Sequence, residues 1–280
     1  MSQENRDQVE FWSSHVGQKW VRRQASLDAL MQPVLDGIVA RADLQSGQRV
    51  LDIGCGSGAA SLAAAEAVGD AGAVLGVDVS PPLLNLARER AADLPHVNFH
   101  HGDATELDLD PPYHRLISRF GVMFFSNPAA SFAQLARQMH PGAKLSFAAW
   151  GQIPENPFFT LPARAARETL GAMPKSDPDA PGPFAFRDPE RIEKVLHDAG
   201  WKEITCEVVA LNLTPVGGPD DLADQMCDIG PAGGAITHFE ATEAQIADLR
   251  QAIADALKPF AQNDTFHLPA QINFVTATKP

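Results

Sequence analysis

The segment RVLDIGCGSGAAS at residues 49–61 constrains the fold of this chain more than any other. Its first five residues, Arg49–Ile53, form an apolar run that predicts a buried strand, and the alanine-rich residues 59–67 predict a helix. A glycine loop between a strand and a helix lets backbone amides at the helix N-terminus approach a ligand closely. The segment therefore predicts a nucleotide-binding loop, whose glycines are Gly54, Gly56 and Gly58.

Strands alternate with helices along the rest of the chain. Apolar runs predict further strands at residues 73–77, 97–100, 116–120, 144–150, 204–213 and 271–278. Because crossover-length helices separate most of these strands, we predict an α/β fold with a doubly wound, mostly parallel sheet. Pro141-Gly142 is predicted to end a helix, and helix starts are predicted at Ser80-Pro81, Asn127-Pro128, Asp188-Pro189 and the Thr242/Gln245 capping box.

Three parts of the chain stand outside this alternation. Apolar residues at helical spacing over residues 27–38 predict an N-terminal helical segment, in which Pro33 marks a kink or a second start. Residues 151–186 and 214–239 contain Gly/Pro-rich stretches and are long enough to be functional insertions or lids. We predict one domain over residues 1–280, with an N-terminal helical lid at 1–45, a cofactor-binding core at 46–150, and substrate-side insertions plus the last two strands at 151–280.

One predicted strand shows an irregular pattern. Over residues 204–213 the alternation of apolar residues changes phase between Val208 and Val209. A change of phase within a strand indicates an extra residue on that strand. We therefore predict a bulge at this point.

Charge and composition disfavour several classes of partner. The 280-residue chain is 45% hydrophobic and carries a formal net charge of −13 at pH 7, with a pI near 5.0. It can bury a full core, but its charge disfavours nucleic acids and anionic lipid surfaces. Its three cysteines lack zinc-ligand spacing, and no apolar run approaches the length of a membrane span. We expect a cytoplasmic protein without a metal site; the sequence leaves the oligomeric state open, a homodimer included.

Acidic residues at the ends of the first three predicted strands narrow the choice of ligand. The glycines alone also satisfy the dinucleotide fingerprint, as Gly54-x-Gly56-x-x-Ala59. Asp52 precedes the first glycine by two residues, Asp78 ends the second strand, and Asp103 follows the third. Carboxylates at this edge would repel a pyrophosphate, whereas an amino group and ribose hydroxyls would pair with them. The three acids favour a cationic, zwitterionic nucleoside.

Four motifs in order carry a resemblance to a known family. They are Val50-Leu51-Asp52-Ile53-Gly54-Cys55-Gly56-Ser57-Gly58, Gly76-Val77-Asp78-Val79-Ser80, Gly102-Asp103-Ala104 and Pro141-Gly142-Ala143-Lys144-Leu145. Over residues 47–150 the chain resembles the class I S-adenosylmethionine-dependent methyltransferases, and within them the bacterial small-molecule branch related to quinone-biosynthesis C-methyltransferases. The resemblance implies a Rossmann-like, seven-stranded sheet with helical lid insertions. It also implies a C-terminal antiparallel hairpin, for which the strands around Val208 and Phe274 are candidates.

The resemblance implies S-adenosylmethionine as the cofactor. Asp78 would bind its ribose, Asp52 would hold either the glycine loop or the methionine amino group, and Asp103 would meet the adenine. Simpler alternatives stay open, because Asp52 could only brace the glycine turn and Asp103 could only cap a helix. The predicted cofactor-binding residues are Trp20, Asp52, Gly54, Cys55, Gly56, Gly58, Asp78, Val79, Asp103, Ala104, Ser118 and Arg119.

Aromatic residues near the fourth and fifth strands predict the class of methyl acceptor. A sulfonium-bound methyl group is already electrophilic, so alignment of a nucleophile behind it can lower the barrier by about 7–11 kcal/mol. A general base is needed only where the acceptor must lose a proton, and the sequence identifies no catalytic residue. The predicted substrate-binding residues are Phe120, Trp150 and Phe158, whose rings favour a small apolar or aromatic acceptor.

Two other functions remain open from the sequence. An NAD-dependent oxidoreductase would use the same glycines, but a short-chain enzyme needs a lysine four residues after its tyrosine, and Tyr113 is followed at that spacing by Ile117. The second alternative is a module that binds S-adenosylmethionine without turnover.

The tetrapeptide Asp110-Pro111-Pro112-Tyr113 has the letters of a signature of nucleobase amino-group methyltransferases. It precedes the fourth strand instead of following it, so we interpret it as a turn.

Overall fold

A computed structural model describes residues 3–106, 108–109, 112–175, 177–262 and 265–280 of the chain. The strands are β1 Arg49–Ile53, β2 Ala73–Asp78, β3 Val97–His101, β4 Tyr113–Arg119, β5 Met139–Trp150, β6 Lys202–Leu213, β7 Ala261–Gln262, β8 Thr265–Phe266 and β9 Leu268–Thr278. The α-helices are α1 Gln3–Ser13, α2 His15–Arg22, α3 Gln24–Leu30, α4 Gln32–Ala42, α5 Ala59–Val68, α6 Pro81–Arg90, α7 Pro128–Arg137, α8 Pro157–Thr169, α9 Pro189–Asp198, α10 Pro219–Asp228, α11 Gly230–His238 and α12 Glu243–Leu257.

Seven of these strands form one mixed sheet in the spatial order β3-β2-β1-β4-β5-β9-β6. The pairs β1–β2, β1–β4, β2–β3 and β4–β5 are parallel. β9 lies between β5 and β6 and is antiparallel to both, with Val208 opposite Asn273 and Glu207 opposite Phe274. The predicted α/β fold, with a doubly wound, mostly parallel, seven-stranded sheet and a C-terminal antiparallel hairpin, is confirmed.

Helices cover both faces of the sheet, and two neighbouring residues of β5 show which helix lies on which face. The Ser146 hydroxyl donates a hydrogen bond to the backbone carbonyl of Ile38 in α4 at 3.4 Å. The next residue, Phe147, stacks on Phe132 of α7 with ring centroids 5.7 Å apart. Because successive side chains of a strand point to opposite faces, α4 and α7 lie on opposite sides of the sheet.

The structure corrects the predicted boundary at Pro141-Gly142. α7 ends at Arg137, and β5 begins at Met139, so the Pro-Gly pair lies inside the strand instead of between helix and strand. Met139 pairs with Tyr113, and the register between β4 and β5 then shifts before Arg115. Gly142 absorbs the irregularity, since its φ of 76° lies in the left-handed region that glycine enters without strain.

The predicted bulge at Val208 and Val209 is wrong. The register of β6 on β9 is continuous there and shifts instead between Lys202 and Thr205, where Glu203 has a φ of 50°. The change of phase in the sequence has another cause. Cys206 faces α9, as its electrostatic interactions with that side show, whereas the neighbouring Glu207 pairs with Arg41 of α4 on the opposite face. The less exposed side chains are Ile204 and Cys206 in the first half of the strand and Val209, Leu211 and Leu213 in the second, so the covered face changes along its length.

Helices outside the alternation form two groups. α1 to α4 precede β1, and Pro33 lies in the first turn of α4, which confirms the predicted second start. Residues 214–239 fold mainly into α10 and α11, which pack with α8 and α12. The predicted capping box of Thr242 and Gln245 is present at the start of α12. Within the described part of the chain, no helix is both long and apolar enough to span a membrane.

Candidate active site

The glycine loop after β1 has open space beside Gly56 and a close backbone contact at Gly54. Gly54, Gly56 and Gly58 all have left-handed φ values, of 66°, 54° and 86°. A β-carbon placed on Gly56 would meet no heavy atom within 4 Å, whereas one on Gly54 would lie 2.5 Å from the Cα of Gly121. The loop after β1 therefore packs directly on the loop after β4, and its outer side at Gly56 leaves room for a ligand.

Asp78 links the end of β2 to the glycine loop. Its Oδ2 accepts a hydrogen bond from the backbone amide of Gly56 at 2.7 Å, and its Oδ1 accepts one from the amide of Ser80 at 2.9 Å. Burial raises the pKa of Asp78, and these backbone amides partly offset the rise. A carboxylate has about four acceptor positions, so this arrangement leaves capacity for hydroxyl donors. The ribose role of Asp78 stays a prediction.

Asp52 is fully buried and is bonded to Ser61 at one of its two oxygens. The Ser61 hydroxyl of α5 donates to its Oδ2 at 2.6 Å, while its Oδ1 is buried without a partner. Burial raises the pKa of Asp52 to about 6; the Ser61 hydroxyl and the charge of Arg119 oppose this rise. Of the two roles predicted for Asp52, bracing the glycine loop against α5 matches the observed bond, and the unpartnered oxygen leaves the amino-group role as a prediction.

Asp103 lies at the start of a short 3₁₀ helix, Ala104–Glu106. Its Oδ1 accepts hydrogen bonds from the amide and the hydroxyl of Thr105, each at 2.8 Å. This is the geometry of the simpler alternative, a helix cap. Ala104 is buried beside it, and the adenine roles of both residues stay predictions.

Arg119 at the tip of β4 is held by an acidic residue of the N-terminal helices. Its Nη2 lies 3.0 Å from Oδ1 of Asp28 in α3, and its Nη1 is buried without a hydrogen-bond partner. The other oxygen of Asp28 lies 2.9 Å from Nη2 of Arg90 in α6. Arg90 also donates through Nη1 to the backbone carbonyl of Ser57 at 2.7 Å. One carboxylate thus connects the β4 tip to the glycine loop.

Ser118 lies at the end of β4, and its hydroxyl bonds to the backbone on both sides. It is fully buried, its hydroxyl donates to the Ile53 carbonyl at 2.7 Å, and its oxygen accepts from the amide of Gly121 at 3.2 Å. These two bonds hold together the chain segments at the ends of β1 and β4. We therefore assign Ser118 to positioning the glycine loop, and its contact with a ligand stays a prediction.

The three predicted substrate-binding residues form one parallel stack. Phe120 and Trp150 have ring centroids 4.6 Å apart, and Trp150 and Phe158 have centroids 6.0 Å apart, both with interplanar angles of 4°. Trp150 and Phe158 are buried, whereas Phe120 is half-buried. Phe120 also has a φ of 66°, a left-handed conformation that is strained for a residue with a side chain.

Trp20 lies in an aromatic cluster at the ends of β2 and β4. Its ring is 5.5 Å from Trp12, which is in turn 5.5 Å from Phe124 in the loop after β4. The Ser80 hydroxyl donates to the Trp12 carbonyl at 2.8 Å, and the Ser13 hydroxyl donates to the Val79 carbonyl at 3.3 Å. α1 and α2 therefore cover the end of β2. The cofactor contacts of Trp20 and Val79 stay predictions.

Cys55 is a buried thiol in the glycine loop, and burial raises its pKa well above its usual value. It is therefore a neutral packing group at physiological pH, and its contact with the cofactor stays a prediction.

Among the described residues, no group of three or more His, Cys, Asp or Glu side chains is arranged to hold a metal ion. Asp110 and Pro111 of the proline-rich tetrapeptide lie outside the described residues.

Comparison with known proteins agrees with this geometry. Residues 50–142 match a family model described as a methyltransferase domain. Demethylmenaquinone methyltransferase of Renibacterium salmoninarum is 28% identical over 169 residues, which cover 57% of this chain and 68% of that protein. Trans-aconitate 2-methyltransferase of Methylobacterium nodulans is 33% identical over 144 residues, which cover 50% of this chain and 52% of that protein. Residues 50–142 form a methyltransferase domain, and the chain is an S-adenosylmethionine-dependent methyltransferase.

The fold of this methyltransferase also matches solved structures. Magnesium protoporphyrin IX methyltransferase of Synechocystis, solved with bound SAH, superposes with a TM-score of 0.54 at 15% identity, covering 99% of this chain and 100% of that one. At this identity the likeness concerns the fold. It agrees with the mixed sheet in which β9 lies between β5 and β6.

Several residues of the methyltransferase site could not be found from its motifs. Asp28 and Arg90 are far from the glycine loop in sequence and meet it only through the packing of α3 and α6. Ser61 looks like an ordinary helical residue until its bond to Asp52 is seen. Gly121 offered a signal, since it directly follows the predicted fourth strand, but its contact with Gly54 depends on the neighbouring positions of β1 and β4.

Proposed function

We propose that this methyltransferase transfers the methyl group of S-adenosylmethionine to a small apolar or aromatic molecule. The observation that carries the choice of acceptor is the parallel stack of Phe120, Trp150 and Phe158. Phe120 directly precedes Gly121, which contacts Gly54 of the glycine loop. The stack therefore begins beside the loop assigned to the cofactor.

Two buried atoms without partners suit the amino-acid end of the cofactor. Oδ1 of Asp52 lacks a donor, and Nη1 of Arg119 lacks an acceptor. The two side chains interact electrostatically across neighbouring strands, since the charge of Arg119 affects Asp52. An ammonium group would supply the donor and a carboxylate the acceptor, and an unmade hydrogen bond of a buried group costs about 1–3 kcal/mol. Asp78 would accept the ribose hydroxyls through its remaining acceptor positions.

When bound, S-adenosylmethionine supplies a methyl group made electrophilic by its sulfonium. The residues of this chain then need to orient the acceptor and exclude water. The buried rings of Trp150 and Phe158 hold Phe120 from behind, and its partly exposed ring offers an apolar surface. Alignment of this kind can lower the barrier by about 7–11 kcal/mol. We assign no general base.

The named relatives act on chemically different acceptors, demethylmenaquinone and trans-aconitate. The aromatic stack favours a ring compound. A polycarboxylate would need further positive charge beside the acceptor, whereas Arg119 already pairs with Asp28 and its free Nη1 is assigned to the carboxylate of the cofactor. A dinucleotide is disfavoured because its pyrophosphate would approach Asp52 and Asp78.

The proposal is tested in two steps with the full chain. Isothermal titration with S-adenosylmethionine, S-adenosylhomocysteine and NAD should show binding of the first two and none of NAD. A labelled-methyl assay should then compare quinols and phenols with di- and tricarboxylates, and we expect incorporation into ring compounds. Tight binding of NAD alone would contradict the cofactor, methylation of carboxylates alone would contradict the acceptor class, and binding without turnover on any panel would favour a non-catalytic module.

We also expect the enzyme in the cytoplasm, supported by three free cysteines, Cys55, Cys206 and Cys227. The domain boundaries at 1–45, 46–150 and 151–280 remain expectations, and the oligomeric state stays open, a homodimer included. Limited proteolysis and light scattering of the purified chain test them.

A further inference from the structure

The helix α3 has ion pairs near both of its ends, and these reach different parts of the enzyme. Arg23 immediately precedes the helix, and Asp28 lies in its second turn. Asp28 faces the cofactor-binding core, whereas Arg23 faces the helical insertion formed by α10 and α11. A seven-residue helix therefore bridges the cofactor-binding core and an insertion that packs on α8, the helix that carries Phe158.

On the core side, Asp28 is mostly buried, with 17% of its side chain exposed. It pairs with Arg119 at 3.0 Å and with Arg90 at 2.9 Å, and it accepts a hydrogen bond from Gln24 at 2.6 Å. Through Arg90 it is connected to the carbonyl of Ser57 in the glycine loop. A ligand that restricts the motion of Arg119 or of the glycine loop therefore also restricts the motion of Asp28.

On the insertion side, Arg23 pairs with two carboxylates of α10. Its Nε donates to Asp228 at 2.7 Å, and its Nη2 contacts Asp224. Asp224 also lies 3.1 Å from Nη2 of Arg250, which ties the same point to α12. Burial lowers the pKa of Arg23, but the hydrogen bonds to Asp224 and Asp228 raise it more, so the pKa is raised overall. The side chain therefore stays charged. α10 is thus attached to α3 at the end opposite to Asp28.

We propose that α3 couples the two sides, so that cofactor binding closes the α10–α11 insertion over the acceptor side, with Arg23 as the positioning residue. This inference rests on the proposed function. The physical basis is a short helix held at one end by groups that the cofactor would contact and at the other by the insertion. Because coupling between two sites is reciprocal, the cofactor and the acceptor should each bind more tightly to the enzyme that already holds the other.

Hydrogen exchange of the full chain with saturating S-adenosylhomocysteine measures the coupling directly. In the native enzyme we expect slower amide exchange over both α2–α3 and α10–α11 when the nucleoside is bound. In Arg23→Gln the protection of α2–α3 should remain, whereas the protection of α10–α11 should fall about tenfold, within the usual range of coupling between sites. The affinity for S-adenosylhomocysteine should change far less than this protection.

Two further variants make the result decisive. Asp228→Asn should cause part of the loss, because Asp224 still pairs with Arg23, and adding Asp228→Asn to Arg23→Gln should cause no further loss, as expected for one shared interaction. Arg41→Gln is a matched control, because Arg41 is similarly exposed, at 26% against 28% for Arg23, and also joins an N-terminal helix to the C-terminal half of the chain, at Glu207. It should leave the protection of α10–α11 unchanged.

Each result supports or overturns the coupling. If the nucleoside binds and α10–α11 exchanges at the same rate with and without it, or if Arg23→Gln keeps full protection, the coupling is wrong. If titration shows that S-adenosylhomocysteine does not bind the native chain at all, the proposed function is wrong. This result is distinguished from a failure of the coupling, in which the nucleoside binds and the exchange of α10–α11 is unchanged.

Discussion

Gly54 and Gly121 meet backbone to backbone: a β-carbon on Gly54 would lie 2.5 Å from the Cα of Gly121, and one on Gly121 would lie 2.7 Å from the Cα of Gly54. The second β-carbon would also lie 2.5 Å from the carbonyl oxygen of Ile53. Neither neighbour is a flexible side chain that could move aside. The glycine loop is thus placed by a direct contact between the ends of β1 and β4.

This contact predicts the effect of Gly121→Ala. The φ of Gly121 is −75°, which alanine adopts freely, so the cost comes from the steric clash, about 1–3 kcal/mol of unfolding free energy. Urea unfolding measures it, and the affinity for S-adenosylhomocysteine should fall as the glycine loop shifts. Gly142→Ala is the control, because it adds a β-carbon in open space at a φ of 76°. It should cost stability without changing affinity, and equal affinity losses in both variants would contradict the placement.

The predicted ribose contact is tested with Asp78→Asn. The amide would place a donor opposite a backbone amide of Gly56 or Ser80 and remove acceptor positions. We expect the affinity for S-adenosylmethionine to fall by about 1–3 kcal/mol, measured by titration calorimetry. Asp70→Asn, at a fully exposed carboxylate, is the control for lost charge. Unchanged affinity in Asp78→Asn would remove the ribose assignment.

Ionisation of Asp52 predicts a pH dependence of stability. Burial raises its pKa to about 6 in the folded chain, above the ordinary value of 3.8, so the folded state retains the proton longer than the unfolded state. Its contribution to stability is therefore present below about pH 4 and is lost as the pH rises through about 6, by about 3 kcal/mol in total. Unfolding of Asp52→Asn should lack this loss. If native and variant chains show parallel pH profiles, the carboxyl does not titrate there.

The same group predicts how cofactor affinity depends on pH. If the ammonium group of S-adenosylmethionine pairs with ionised Asp52, affinity should fall by up to about tenfold for each pH unit below about 6. Burial also raises the pKa of Asp78, so the native profile alone does not identify the group. Asp52→Asn separates them, since its affinity should be lower and should change less over this range. A variant with an unaltered slope would assign the titration to another residue.

The strained backbone and the stacked ring of Phe120 predict a separation of stability from activity. Phe120→Gly relieves the left-handed φ of 66° and should recover about 1–2 kcal/mol of backbone strain, offset by the lost stacking on Trp150. Phe120→Leu keeps the strain and the apolar surface but removes the aromatic face. For a ring acceptor we expect the KM of Phe120→Leu to rise about tenfold with the affinity for S-adenosylmethionine unchanged. An unchanged KM would remove Phe120 from the acceptor site.

Local signals in the sequence predict the centre of this fold well. The bounds of β1 and the start of α5 follow from an apolar run and a glycine loop, and Asp188 and Thr242 cap the helices that they were predicted to begin. The antiparallel pairing of β6 and β9 follows from the family resemblance, and the structure bears it out.

Features set by packing could not be predicted. α11 contains glycines at positions 230, 233 and 234, which favour a loop by propensity, and its helix depends on contacts with α8 and α10. The bulge was predicted at Val208 because the sequence pattern does not show which face of β6 is covered along its length. The bonds of Asp28 to Arg119 and Arg90 join residues that are 91 and 62 positions away, and no local motif records them.

The position of β9 between β5 and β6 has a consequence for how the chain matures on the ribosome. β6 is synthesised about 55 residues before its partner, and the outer edge of β5 also stays unpaired until residues 268–278 emerge. Until then two long strands present unpaired amide and carbonyl groups to other nascent chains. The sheet can therefore be completed only after β9 has been synthesised, and chaperone occupancy should persist until β9 is inserted between β5 and β6.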